Sequence, residues 1–288
     1  MKLSRAAGKE IIIAFCFLIP SFAGFAIFYL IPFGQSVFTS FRDGLDGGSW
    51  TLANYKDLLA SLSFQKASAN TFSFMAISVP VILSLSLGLA LLLNQRVFFR
   101  NWLRTAFVLP LVVPVASIVL VWQIFFDWNG ALNEVMERLD MSRIDWMKSD
   151  WASLVIVLVY IWKNIGYNVV LFLAGLQNIP DQYYEIADLE GASPLRKLSI
   201  TLTYLTPTTF LVVLMSVLNS FKVFRETYLV AGDYPHDSIY MMQHYMNNMF
   251  LSLDIQKLSA AATLMAVCIL VLVAVLFRTE RLFRSYME

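Results

Sequence analysis

The chain has 288 residues, of which 58% are hydrophobic, 15% aromatic and only 14% charged, with a net charge of +1. Soluble domains carry charged residues at about a quarter of positions, so this composition excludes an ordinary soluble fold and describes an all-α integral membrane protein. The near-neutral balance offers no basic stripe for a nucleic-acid partner, and the two cysteines, Cys16 and Cys268, both lie in apolar stretches and suggest neither a disulfide framework nor a metal site.

Stretches of about 20 apolar residues carry an α-helix across roughly 30 Å of hydrocarbon. They predict six spans in a single domain over 1–288, at about 11–33, 71–94, 105–127, 152–174, 207–230 and 258–277. The first follows Lys2, Arg5 and Lys9, as a secretory signal would. Its apolar run continues past Pro20 to Pro32, beyond a signal core of about 7 to 15 residues, so it reads as a retained span. Positions 34–70 leave room for a short amphipathic helix around Tyr55, Leu58 and Leu59. In the second span Ser84 and Gly88 are small residues that permit close helix approach, as are Ala260 to Ala262 in the sixth.

Pro110 and Pro114 in the third span read as packing kinks. Beyond it, Trp128 to Trp151 sets charges among Leu132, Val135, Met136 and Leu139 at helical spacing. The two histidines, His236 and His244, fall in the loop before the sixth span; eight residues apart, they match no common metal spacing and read as surface polarity. With both termini on one side, that side carries 11 Lys or Arg in 63 positions against 7 in 88 on the other. The bias puts the termini in the cytoplasm.

The fourth and fifth spans hold polar residues that lipid would not tolerate. Tyr160, Asn164 and Asn168 recur every fourth residue, with Lys163 and Tyr167 as a neighbouring pair, so each set shares a helix face. On the fifth, Ser216, Asn219 and Lys222 form a second stripe beside Phe221 and Phe224. A solute pathway and hydrogen bonding between helices are equally good readings of these stripes. Donors and acceptors beside aromatic rings suit a sugar, while Lys222 and Arg225 also suit an acidic or phosphorylated solute or reach toward the interface.

The segment between these spans, about 178–206, is several times longer than a plain connector of about 2 to 8 residues. Asp181 after Pro180 is placed to cap a helix, Gly191 to end it in the left-handed conformation, and Ser193–Pro194 to start a second helix. The pattern predicts helix, sharp turn, helix, with the first helix at about Gln182 to Glu190. An interfacial helix would favour a Lys/Arg-rich polar face, whereas only Arg196 and Lys197 are basic here.

This segment, EIADLEGASPLRKLSITLTYLTP, resembles the EAA loop of bacterial ABC transporter permeases. Glu185, Ala187, Gly191 and the stretch from Ile200 to Pro207 fall in matching places, while Ile186 replaces the first Ala of the pair and Thr203 stands where Pro is common. The resemblance extends along nearly the whole chain to carbohydrate-type permeases similar to the maltose and glycerol-3-phosphate systems, through TLANYKDLL, LPLVVPVAS and NSFKVFRETYLVAGDYP. It implies a six-helix subunit of the bacterial cytoplasmic membrane with a cytoplasmic coupling loop. It implies half of a solute pathway, paired with a second, related permease that is usually non-identical. Two ATPase subunits would bind ATP and Mg, with no cofactor in this chain, and an extracytoplasmic binding protein would deliver a sugar or oligosaccharide. Tyr184, Glu185, Ala187, Asp188, Gly191 and Ala192 are the residues expected to couple to the ATPase, with Glu185 fixing the loop and Gly191 its turn.

The sequence holds no phosphate-binding loop, zinc-protease helix, nucleophile elbow or dinucleotide glycine pattern. The expected role is therefore transport without catalysis. A secondary transporter would show inverted repeats or mid-span acids for ion coupling, and neither is evident.

Overall fold

The computed structural model describes residues 5–43, 48–95 and 100–287. Lys2 and Arg96, two of the basic residues counted above, lie outside them. The described residues form fourteen α-helices and two short turns of other helix types, and six helical segments are long and apolar enough to cross a membrane. The chain divides into two compact units, 1–61 with 249–267 and 62–248 with 268–288.

In the first unit, α1 (Arg5–Phe25) passes through a π-helical turn at Ala26–Leu30 into α2 (Ile31–Ser40). The wide turn precedes Pro32, whose missing N–H and ring crowd the turn before it. The expected short helix is α3 (Ala53–Ala60). Asn54 Nδ2 donates to the carbonyls of Ser40 and Arg42 at 3.0 and 2.9 Å, and the Ser40 and Tyr55 hydroxyls are 2.7 Å apart. The Arg42 guanidinium lies over the rings of Phe38 and Trp50, so this loop is held by a small cation–π stack. The unit also takes in the start of the last helix, where Ala260 and Ala261 are fully buried.

The second unit is built around α8 (Ala152–Gln177), which packs against α4 (Leu62–Asn94), α5 (Arg100–Val112) and α11 (Thr206–Ser220). Ala90, Val169, Phe172, Leu176, Leu205 and Val212 form one apolar cluster; Phe74, Ile82, Ile156, Tyr160 and Val223 form another. Gly175 permits the close approach of α8 to the start of α11: a Cβ there would stand 2.5 Å from Thr208 Oγ1 and 2.8 Å from Leu205 Cδ2.

One expected span is corrected and another is interrupted. The third is not one helix over 105–127. Pro114, at φ −56° and ψ 139°, takes the backbone out of α5 and starts α6 (Val115–Phe126), because a proline lacks the N–H needed to continue the ladder. The fifth lies where expected, at Thr206–Ala231, but its helix is interrupted. It breaks at Phe221–Val223 between α11 and α12 (Phe224–Ala231), where the Lys222 and Glu226 N–H groups bond three residues back, to Asn219 and Val223, at 3.0 and 3.1 Å. The second and sixth spans are longer than expected, in α4 and in α14 (Ile255–Met287). Between α6 and α8, α7 (Ala131–Arg138) supplies the expected amphipathic turn. Its buried Asn133 organises the loop, donating to the Trp128 and Ile144 carbonyls and accepting from Ile144 N–H and Trp146 Nε1.

Candidate functional site

Three polar residues of the predicted stripes bind helices together. Tyr160 is buried on α8, and its hydroxyl donates to the Ser216 carbonyl at 2.7 Å. Asn168 Nδ2, one helix face along, donates to Ser216 Oγ at 2.9 Å. Asn168 and Ser216 thus hydrogen-bond to each other across the two helices. Tyr167 is half-buried, and Phe224 packs edge-on to His244 at 4.8 Å; neither lines the pocket described next.

The other predicted residues converge. Lys163 and Asn164 from α8, with Asn219, Lys222, Arg225 and Glu226 from around the break in the fifth span, line a cavity of about 100 Å³ that Tyr160 also borders. Lys163 is the twelfth residue of the 26-residue α8, about 17 Å from its start at 1.5 Å per residue, so the cavity lies at mid-depth of that span. Non-helical backbone at such depth persists only where protein or a water-filled cavity surrounds it, and the break borders the cavity. Lys163 forms an ion pair with Glu226, whose side chain is only 5% exposed. Oε1 takes the lysine, while the buried Oε2 has no hydrogen-bond partner among the described residues. An unpaired lysine at mid-span costs about 2.5–3.5 kcal/mol by insertion scales, so Glu226 is what makes Lys163 tolerable. Glu226 was not among the residues singled out from the sequence. The signal was available, since a buried cation requires a counter-charge.

The segment between α8 and α11 forms α9 (Gln182–Leu189) and α10 (Pro194–Tyr204). Gly191, at φ +69°, ends α9: its N–H bonds to the Asp188 carbonyl at 3.0 Å, and Ala192 N–H reaches the Ala187 carbonyl at 2.8 Å, the paired bonds of a Schellman turn. Ser193 caps α10, accepting from Arg196 N–H at 3.4 Å ahead of Pro194. The expected Asp181 cap does not form. Asp181 sits in helical conformation with no side-chain cap bond, and it receives the Tyr184 and Glu185 N–H groups on its carbonyl instead.

The two short helices are tied to each other. Thr201 Oγ1 donates to the Lys197 carbonyl at 2.9 Å, leaving it to accept from the Tyr184 hydroxyl at 2.8 Å. Asp188 pairs with Lys197, and the Tyr183 and Tyr204 rings stack at 4.5 Å. The hydrogen bond with Tyr183 raises the Tyr204 phenol above its ordinary value. Ala187 is buried between the helices, whereas Glu185 is exposed with no side-chain partner among the described residues. Within this chain the loop is thus fixed by Tyr184, Asp188 and Gly191 rather than by Glu185. Ile186, Leu189 and Leu195 project at 54%, 89% and 79% exposure, an apolar knob on a hydrogen-bonded frame.

A further expectation is corrected for His244, which is fully buried on α13 (Met242–Leu251) rather than at the surface. Its Nδ1 accepts from Met241 N–H at 3.3 Å, and burial pushes its pKa down to about 4 against a weaker opposing pull from Asp233. No group of metal-ligating side chains occurs among the described residues.

Residues 81–285 match the family described as the binding-protein-dependent transport system inner membrane component. The chain belongs to that family. It is 30% identical over 280 residues to the sulfoquinovosyl glycerol transport system permease protein SmoG of Agrobacterium fabrum, covering 94% of this chain and 91% of that protein. It is 31% identical over 223 residues to the arabinooligosaccharides transport system permease protein AraP of Bacillus subtilis, covering 75% and 71%. In fold it matches a bacterial ABC transporter involved in the import of the acidic polysaccharide alginate, with a TM-score of 0.83 at 20% identity over 95% of this chain and 96% of that one. This inner-membrane permease is therefore a multi-pass transport component, and its relatives named here carry solutes rather than transform them.

Proposed function

We propose that this permease forms half of the pathway for a sugar or oligosaccharide delivered by an extracytoplasmic binding protein. A second, related and non-identical permease supplies the other half. The permease pair binds two ATPase subunits, one of which grips the cytoplasmic α9–α10 knob of this chain, and both termini share that side. The observation that carries this reading is the knob itself: exposed Ile186, Leu189 and Leu195 stand on a frame locked by the Gly191 turn, Tyr184–Thr201 and Asp188–Lys197. An apolar tip on a helix pair cross-tied by these bonds fits a groove in a partner protein and transmits its displacement to the bundle. Nucleotide closure of the ATPases then biases the bundle between two packed arrangements. SmoG and AraP, by their names, handle glycosides, and the mid-span cavity offers the donors and acceptors that hydroxyls need.

The test is assembly and coupling. Expressed with its partner permease and ATPase, the chain should purify as a complex whose ATPase activity rises with sugar-loaded binding protein. Leu189→Arg should abolish ATPase association while leaving membrane insertion intact; an unchanged complex would overturn the assignment of the knob.

A further inference from the structure

The charge balance of the mid-span cavity is lopsided. Lys163, Lys222 and Arg225 stand against one carboxylate, Glu226, and that carboxylate is already engaged by Lys163. Lys222 and Arg225 are exposed, and neither has an ion-pair partner among the described residues. Beside them the buried Oε2 of Glu226 has no hydrogen-bond partner among the described residues. The cavity thus offers two unlike functions within one turn of helix: free cations that seek an anion, and a free acceptor that seeks a hydroxyl.

We infer that the cavity selects the acidic end of a sugar acid, with Lys222 and Arg225 holding its carboxylate or sulfonate and Glu226 Oε2 accepting from a neighbouring ring hydroxyl. This rests on the proposed sugar pathway and narrows it to anionic glycosides. A neutral sugar satisfies only Glu226, and a hydroxyl-free anion satisfies only the two cations; a sugar acid satisfies both. At about 100 Å³ the cavity holds roughly three waters' share of liquid volume. That is room for an acidic group and the carbons beside it, so the rest of the solute lies in the shared pathway. Arg225 presents a planar fork that matches a carboxylate or sulfonate bidentately, and Lys222 adds a point charge.

The experiment uses the complete transporter in lipid nanodiscs, titrated with trigalacturonate and with its carboxyl-reduced, neutral counterpart. Wild type should bind the acid at least about tenfold more tightly, the effect expected of a charge-assisted hydrogen bond. High salt should weaken the preference. The Lys222→Gln/Arg225→Gln variant should lose it too. Equal wild-type affinities, a preference that survives in the variant, or a variant that inserts but no longer assembles with the partner permease would each overturn the inference, the last by assigning these cations to the subunit interface. Binding of neither trisaccharide by a transporter whose ATPase responds to sugar-loaded binding protein would also overturn it. An ATPase that responds to no sugar-loaded binding protein would instead remove the broader sugar reading.

Discussion

Breaking the Lys163–Glu226 pair from one side takes the direct ion-pair partner from a charge at mid-span, and the two sides are not equivalent. The Glu226 side chain is 5% exposed and Lys163 19%, with the lysine opening to the cavity. Lys163→Met therefore strands the more deeply buried charge and should cost more than Glu226→Gln, which leaves a lysine that water in the cavity can partly solvate. Removing one partner of a buried pair costs about 3–5 kcal/mol, whereas replacing both with apolar or neutral groups is often close to neutral. For a chain of this size about 3 kcal/mol corresponds to roughly 6–12 °C in melting temperature. Purified variants would be compared by thermal unfolding in one detergent and followed by intrinsic tryptophan fluorescence. Lys163→Met should melt lowest, Glu226→Gln next, and Lys163→Met/Glu226→Leu should recover most of the loss. A double variant no more stable than Lys163→Met would refute the argument, because the penalty would then come from lost packing and not from the orphaned charge.

Other outcomes follow from single positions. A Cβ at Gly191 meets nothing within 4 Å, so Gly191→Ala should cost only the left-handed backbone penalty, about 1–2 kcal/mol, seen as faster amide exchange across Ala187–Ala192; Gly191→Asn should recover part of it. Gly175→Ala crowds Thr208 and Leu205 across the α8–α11 contact, and overpacking of about 1–3 kcal/mol should exceed the helix-propensity gain of about 1 kcal/mol, lowering the melting temperature. Asn168→Leu should lose about 0.6 kcal/mol, the average for a hydrogen bond between membrane helices, and a double-mutant cycle with Ser216→Ala should recover that coupling. His244 is neutral in the fold down to about pH 4 but titrates near 6.5 when unfolded, so the unfolded chain binds the extra proton between those values. Stability should fall by about 1.4 kcal/mol per pH unit as pH drops from about 6.5 toward 4, and His244→Gln should flatten that slope.

The α9–α10 turn was legible because its signals are local. A positive-φ glycine and a Ser–Pro start act through backbone geometry within a few residues, and both form as read. Asp181 failed because a potential cap competes with a helix that simply begins one residue earlier in conformation, and local sequence does not fix which prevails.

Composition and the lengths of the apolar runs suffice to make the chain helical and membrane-borne, since lipid leaves the backbone no other partners than its own and apolar length counts the spans. Only the tertiary structure decided which polar residues serve as bonds between helices and which face a cavity. Tyr160, Asn168 and Ser216 satisfy one another, while Lys163 finds Glu226 across 63 positions of sequence. Helical periodicity gives the face on which a side chain sits, and the partner on the next helix is set by how the helices pack.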